Sequence, residues 1–243
     1  MTFLLNFLDG HRRRSRAKPT SADHPAGPMV RTVRITADGA SPAGDLVIPA
    51  DATGVVLFAH GSGSSRHSPR NQFVARTLQA AGIGTLLFDL LSVAEEGEDA
   101  IDGHLRFDIG LLARRLVAAA QWMRQQPEAK QLGIGLFGAS TGGAAALVAA
   151  AELGSLVQAV VSRGGRPDLA GHALPRVTAP TLLIVGARDE FVVRLNRDDC
   201  AQLRCAKQLT LVPGATHLFE EPGALEKVAA LAAGWFQRHL KPV

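Results

Sequence analysis

From Val30 onward the chain alternates short apolar or β-branched runs with longer stretches of helical period, and few sequence features restrict a fold as tightly. The apolar runs are Val30–Thr36, Asp45–Ile48, Val55–Ala59, Gly84–Phe88, Leu132–Phe137, Gln158–Ser162, Thr181–Val185 and Gln208–Val212. Helical stretches are predicted at Asn71–Ala81, Phe107–Gln125, Gly142–Glu152, Asn196–Leu203 and Ala224–His239. Central runs such as VVLFA and TLLIV carry no polar face, so they belong to strands buried on both sides, as in a parallel sheet covered by helices. The class is α/β. The first two runs have no helix between them and are joined through Asp38, Gly39 and Pro42, which predicts an antiparallel hairpin at the N-terminal edge of the sheet.

A net charge of +4 would suggest a nucleic-acid partner if it were spread over the folded part. It is concentrated instead. Residues 1–28 hold Arg12, Arg13, Arg14, Arg16 and Lys18 against Asp9 and Asp23, a net of +3, so the remainder is close to neutral and no nucleic-acid surface is expected. With three prolines and little apolar period after Leu8, residues 1–28 read as a flexible basic arm ahead of one domain at 29–243. Phe3, Leu4, Phe7 and Leu8 suit at most a short amphipathic turn, too short to hold a membrane alone. With no apolar run of 18 residues, neither stable membrane association nor export is expected, and the location reads as cytoplasmic. Cys200 and Cys205, in a segment read as helix, are expected to be ordinary thiols rather than a disulfide or a metal pair.

The chemistry concentrates at Gly138-Ala139-Ser140-Thr141-Gly142-Gly143, between the run ending at Phe137 and an alanine-rich helix. In a strand–turn–helix elbow the central residue is strained, and side chains two positions either side would collide. Gly138 and Gly142 remove those collisions. The turn lifts the Ser140 hydroxyl above the carboxyl end of the sheet, where the helix behind it offers amides and a positive dipole end to a developing oxyanion. Outside this setting G-x-S-x-G is a weak pattern; inside it, the reading of an idle serine in a glycine turn loses most of its weight.

A serine hydroxyl needs a base, and the base needs an orienting acid. Around such an elbow they follow in chain order serine, acid, histidine, each on a loop after a strand. The run at Thr181–Val185 leads to Asp189, and the last run leads to His217 before the final helix. His104, in the loop after the fourth run, is the rival base, and Asp168, after the sixth, is the runner-up acid. The glycine-rich turn His60-Gly61-Ser62-Gly63-Ser64-Ser65 suits a second oxyanion donor, with the N–H of Ser62 or Gly61 beside that of Thr141.

Taken together, HGSGSSRHSPRN, FDLL, GASTGGAAA, SRGGRPDLAG, VGARDEFV and PGATHLFEEPG resemble the dienelactone-hydrolase-like branch of the α/β-hydrolase superfamily over about residues 30–240. The resemblance implies an α/β-hydrolase fold with an eight-stranded, mostly parallel sheet flanked by helices. It also implies a triad of Ser140, Asp189 and His217 that works without metal or organic cofactor. One departure bears on substrate: dienelactone hydrolases proper carry cysteine where this chain has Ser140. Similar sequences also occur fused to a phosphoribosyltransferase domain, but this one carries no pyrophosphate-binding signature.

Ester hydrolysis through an acyl-enzyme is the expected reaction, on small-molecule esters. Thioesters, lactones and short polyesters use the same machinery, and an inactive scaffold on the same fold is the competing class. A carboxylate nucleophile, as a dehalogenase would need, is excluded by Ser140. Arg163 and Arg166 flank Gly164-Gly165 past a strand end, where they could bind a substrate carboxylate or phosphate or else pair with the acidic stretch Leu90–Asp108, itself read as a modest cap beside His104. A monomer or homodimer is expected.

Overall fold

The structure, a computed structural model, describes residues 27–243. The arginine cluster and the apolar stretch Phe3–Leu8 lie outside the described residues. One sheet organises the rest: β1 (Met29–Arg34), β2 (Ala43–Ile48), β3 (Gly54–Ala59), β4 (Gly84–Phe88), β5 (Gly133–Ala139), β6 (Val157–Arg163), β7 (Thr181–Gly186) and β8 (Lys207–Val212). They lie in the order β1-β2-β4-β3-β5-β6-β7-β8, with β1 and β2 antiparallel at one edge and every pair from β4 to β8 parallel. The β1–β2 connection turns at Asp38 and Gly39, both at positive φ (49° and 77°), with Ala37 and Ala40 bridged across it. That is the primed geometry a right-twisted hairpin requires.

Period-2 alternation sorts the strand side chains onto two helical layers. Val55, Leu57, Ile134, Leu136, Val160 and Leu183 face a core completed by α3 (Ile109–Gln125) and α4 (Thr141–Leu153). Val56, Phe58, Phe137, Val161, Leu182 and Ile184 face the opposite core, closed by α1 (Pro69–Ala80) and α6 (Ala224–His239). The central runs therefore became strands β3 to β7 because both their faces are covered, whereas β1 and β2 at one end of the sheet and β8 at the other keep one face partly exposed.

Two helices depart from expectation. The stretch Leu90–Asp108, read as a modest cap with no helix predicted before Phe107, contains α2 (Val93–Asp102). Ser92 and Glu95 form a reciprocal capping box at its start, and Gly103 closes it in the left-handed conformation. The other, α5, runs Glu190–Cys200 rather than Asn196–Leu203. Asp189 caps it, and Val192 and Val193 pack beneath it on Val185. Cys200 is thus its last residue, and Cys205 lies beyond the helix; both are free thiols. No helix among the described residues is long and apolar enough to cross a membrane.

Arg115 on α3, 1% exposed, ties these parts together by donating to the Ala37 carbonyl and pairing with Glu95 of α2. Gly97, by contrast, stands mid-helix in α2 with open space where a Cβ would sit. Gly97→Ala is expected to stabilise the fold by about 0.5–1 kcal/mol, read as a higher urea midpoint, because alanine restricts the unfolded chain and meets no neighbour.

Candidate active site

Ser140 ends the β5–α4 turn at φ 52° and ψ −121°, a conformation that non-glycine residues adopt only under constraint. The constraint comes from both sides. A Cβ on Gly138 would lie 2.6 Å from the carbonyl carbon of Gly142 and from the α-carbon of Gly143. One on Gly142 would stand 2.5 Å from the His60 carbonyl oxygen and closer still to that of Ala59. These are backbone atoms with no room to retreat, so Gly142→Ala is expected to destabilise by about 3 kcal/mol in denaturant unfolding.

Ser140 N–H donates to the Arg163 carbonyl (3.1 Å), and Arg166 N–H donates to the Ser140 carbonyl (3.2 Å), which fastens the turn to the end of β6. Across the cleft, His217 Nδ1 bonds Asp189 Oδ2 at 2.7 Å. A carboxylate only accepts, so Nδ1 carries the hydrogen and Nε2 keeps its lone pair. The other Asp189 oxygen accepts the Val192 N–H at 3.4 Å, so one side chain caps α5 and orients the imidazole. Below the ring lies Gly164 (φ 53°), where a Cβ would come within 3.5 Å of His217 Nδ1. Glu221 accepts the Thr216 N–H (3.0 Å) and holds the histidine loop; the Thr216 side chain foremost, then the backbone amides of Glu221 and Thr216, keep its carboxyl below the usual range.

Ser140, His217, Gly61, Ser62, Arg163 and Arg70 line a cleft of about 200 Å³. No hydrogen bond joins the Ser140 hydroxyl to His217 in this structure. A larger chamber of about 290 Å³ shares Gly61, Ser62 and Ser64 with the cleft but includes neither Ser140 nor His217; α2 reaches it through Glu96 and Asp99. The acidic stretch therefore borders this second chamber rather than the serine.

The 60–65 loop is held from beneath. His60, 7% exposed, accepts the Leu90 N–H at Nε2 (3.0 Å), which leaves its ring hydrogen on Nδ1, facing the Gly61 carbonyl (3.1 Å). With that carbonyl held on one side, the Ser62 amide turns to the other and donates to Thr141 Oγ1 (3.0 Å). Gly61 itself lies against Ser140, where a Cβ would be 3.2 Å from the serine Cβ. Thr141 opens α4, and its amide is one of the first-turn donors a helix leaves without an intrahelical partner.

Burial lowers the His60 pKa, outweighing the backbone bond to Gly61 and the charge of Asp89. Between that depressed value and about 6.5 the unfolded chain binds more protons at this residue than the folded one, so its contribution to stability is present above about pH 6.5 and lost as pH falls. The melting temperature is expected to decline below that pH, with a shallower slope in His60→Gln. An identical slope would remove His60 as the source.

Three residues weighed from the sequence do not line the serine cleft. His104 is exposed and pairs with Asp102, which raises its pKa, and it lines neither the cleft nor the second chamber. Asp168 bonds Arg166 through both oxygens (2.9 and 2.7 Å), so it is committed away from His217. The same pairing takes Arg166 out of the cleft and over the Phe191 ring, joined to its near neighbour rather than to the acidic stretch. Arg163 stays in the cleft, 7% exposed, its guanidinium 5.9 Å from the Phe219 ring centre. Burial, seconded by the charge of Arg70, pushes its pKa down to about 10. Ala139, Arg70, Ser64, Ser68 and Leu218 complete the lining and were missed as site residues; the Ser68-Pro69 helix start was the available signal for Arg70.

The sheet order, the strained serine turn and the loops converging at the carboxyl end of the strands define an α/β-hydrolase. Residues 46–241 match the model of the Dienelactone hydrolase family, and the chain belongs to that family. A dienelactone hydrolase from Anabaena variabilis superposes with a TM-score of 0.87 at 58% identity, over 89% of this chain and all of that one. Est1E from Butyrivibrio proteoclasticus shares the fold at 16% identity, TM-score 0.72, over 85% of this chain and 98% of its own. A Mycobacterium tuberculosis protein named "Putative phosphoribosyl transferase" is 53% identical over 96% of this chain, and the chain spans about half (52%) of that relative's length.

Proposed function

We propose that this hydrolase cleaves small or flexible carboxylic esters through an acyl-enzyme, with Ser140 as nucleophile, His217 as general base and Asp189 as the acid that orients it. The 2.7 Å bond from His217 Nδ1 to Asp189, in the cleft that also holds Ser140, carries the reading. The bond leaves Nε2 free to take the serine proton, and rotation of the two side chains brings them into contact as substrate enters. Attack on the ester carbonyl forms the acyl–oxygen bond while the proton passes to Nε2. The oxyanion rests on the Thr141 amide and on the Ser62 amide, which exchanges its bond to Thr141 Oγ1 for the substrate. Collapse releases the alcohol, which takes the proton from His217, and water activated by the same histidine then clears the acyl group. The reaction written this way uses small-molecule esters and no metal or organic cofactor.

The transferase name of the mycobacterial relative describes a protein about twice as long, and the strained serine turn here supports acyl transfer to water. The test is labelling with a fluorophosphonate probe, read by intact mass, beside turnover of para-nitrophenyl esters of increasing chain length. One adduct and measurable turnover are expected. A folded protein that takes no label and turns over no ester would sink the proposal and leave the inactive-scaffold reading.

A further inference from the structure

Asn196, on the inner side of α5, is fully buried, yet only the donor end of its side chain is used. Nδ2 donates to the Gly165 carbonyl and to the Val192 carbonyl, both at 2.9 Å, while Oδ1, also buried, has no hydrogen-bond partner. Carbonyl oxygens only accept, which fixes the nitrogen at that end of the amide. The Val192 carbonyl lies one turn back in the same helix, where the backbone already supplies a donor, so the bond to Gly165 is what the side chain adds. A half-used amide in a dry interior is less stable than an apolar side chain of similar size. Its presence is explained by what the donor holds.

The donor holds a peptide unit. The C=O of Gly165 and the N–H of Arg166 lie in one plane and point to opposite sides, and that N–H donates to the Ser140 carbonyl at 3.2 Å. The Ser140 carbonyl shares its own plane with the N–H of Thr141, the first-turn amide of α4 that meets the oxyanion in the acyl-transfer reading. Donors and acceptors therefore run head to tail from Asn196 Nδ2 through the 165–166 and 140–141 peptide units, and each bond polarises the next. Glycine at 165 leaves the first of these planes free to rotate. Gly164 is pinned by its N–H to the Ile184 carbonyl (2.7 Å), and Asn196 fixes the carbonyl that follows. The Ser140 carbonyl also accepts the Gly143 N–H at 2.9 Å, a bond that the start of α4 makes by itself, so Arg166 is the contribution from outside the turn.

Building on the hydrolase reading, we propose that Asn196 is a positioning residue for the oxyanion donor: through two peptide units in series it aims and polarises the Thr141 amide. Its own hydrogen bonds go to Gly165 and Val192, none of them to Ser140, His217 or Asp189.

The experiment uses two variants. Asn196→Leu keeps the approximate shape and removes the donor. In Asn196→Ser the hydroxyl bonds back to the Val192 carbonyl and is too short for Gly165, so this variant keeps the test valid if the first fails to fold. Losing an oxyanion donor outright lowers kcat by about a hundredfold to a thousandfold, so an amide that stays in place but is less firmly aimed is expected to lower it by about tenfold, with KM within about twofold of the wild type. The rising limb of kcat/KM with pH, set by His217, is expected to stay where it is in the wild type. In amide NMR spectra without ligand, the Thr141 N–H resonance is expected to move upfield in both variants, a change that filling the Gly165 carbonyl for stability alone would not transmit two peptide units away. A kcat within about twofold of the wild type in both variants, or a Thr141 resonance that stays in place, would overturn the proposal. So would a displaced pH limb, which would trace the loss to the acid that caps α5. A wild type that takes no fluorophosphonate label would remove the hydrolase reading and this proposal with it, whereas a labelled wild type with the Thr141 resonance unmoved in the variants would remove the relay alone.

Discussion

Replacing Ser140 with alanine is expected to remove the fluorophosphonate adduct and to lower ester turnover by about a million-fold, the scale seen when a serine nucleophile is removed from such a machinery. The amides of Thr141 and Ser62 and the His217–Asp189 pair all survive that change, so a residual rate above the uncatalysed reaction is expected. The same position allows a second measurement that separates chemistry from folding. At φ 52° and ψ −121°, serine and alanine pay a similar conformational penalty, of order 1–3 kcal/mol, whereas glycine pays little. Ser140→Ala should therefore melt near the wild type, and Ser140→Gly should be as inactive yet more stable by about 1 kcal/mol or more. A glycine variant no more stable than the alanine one would show that the turn is not strained as described. An alanine variant that keeps the wild-type rate would dismiss Ser140 as the nucleophile.

How much of this was legible in the residues depended on whether the signal was local. VVLFA and TLLIV announce strands buried on both faces, and the strands begin and end within two residues of the expected limits because no polar face competes for another register. Gly138 and Gly142 announce the elbow because the collisions they avoid are with backbone a few residues or one strand away. The helix α2 was missed although Ser92 and Glu95 spell its capping box, since the glycine and acidic residues that follow conceal its period. The start of α5 was missed because the β-branched Val192 and Val193 are weak helix formers, yet they pack against the strand end Val185. Side-chain choices were less legible. Arg163 and Arg166 stand on either side of two glycines, and only strand parity and the turn at Gly164 (φ 53°) send one into the cleft and the other to Asp168. The bond from Ser62 to Thr141 joins residues 79 apart, and nothing in either segment foretells it.

The sharpest test of the charge order in the site is a pair of substitutions at the two aspartates that compete for the role of acid. Asp189→Asn is expected to lower kcat by about ten-thousand-fold with little change in melting temperature. The stability survives because asparagine caps a helix about as well as aspartate, so α5 keeps its first-turn bond to Val192. The activity does not survive, because an amide turned toward His217 donates a hydrogen where the carboxylate accepted one. That forces the imidazole hydrogen onto Nε2, and the ring then offers Ser140 a donor in place of a base. Asp168→Asn breaks only the half-exposed pair with Arg166, whose net contribution is small, so its kcat should stay within about threefold of the wild type. Measured side by side on one ester, the two variants should differ by three orders of magnitude or more. If Asp168→Asn is the inactive one, the acid sits after β6, His217 must reorient to reach it, and the 2.7 Å bond to Asp189 is structural; if both are active, the histidine needs no acid and the proposed triad fails as a unit.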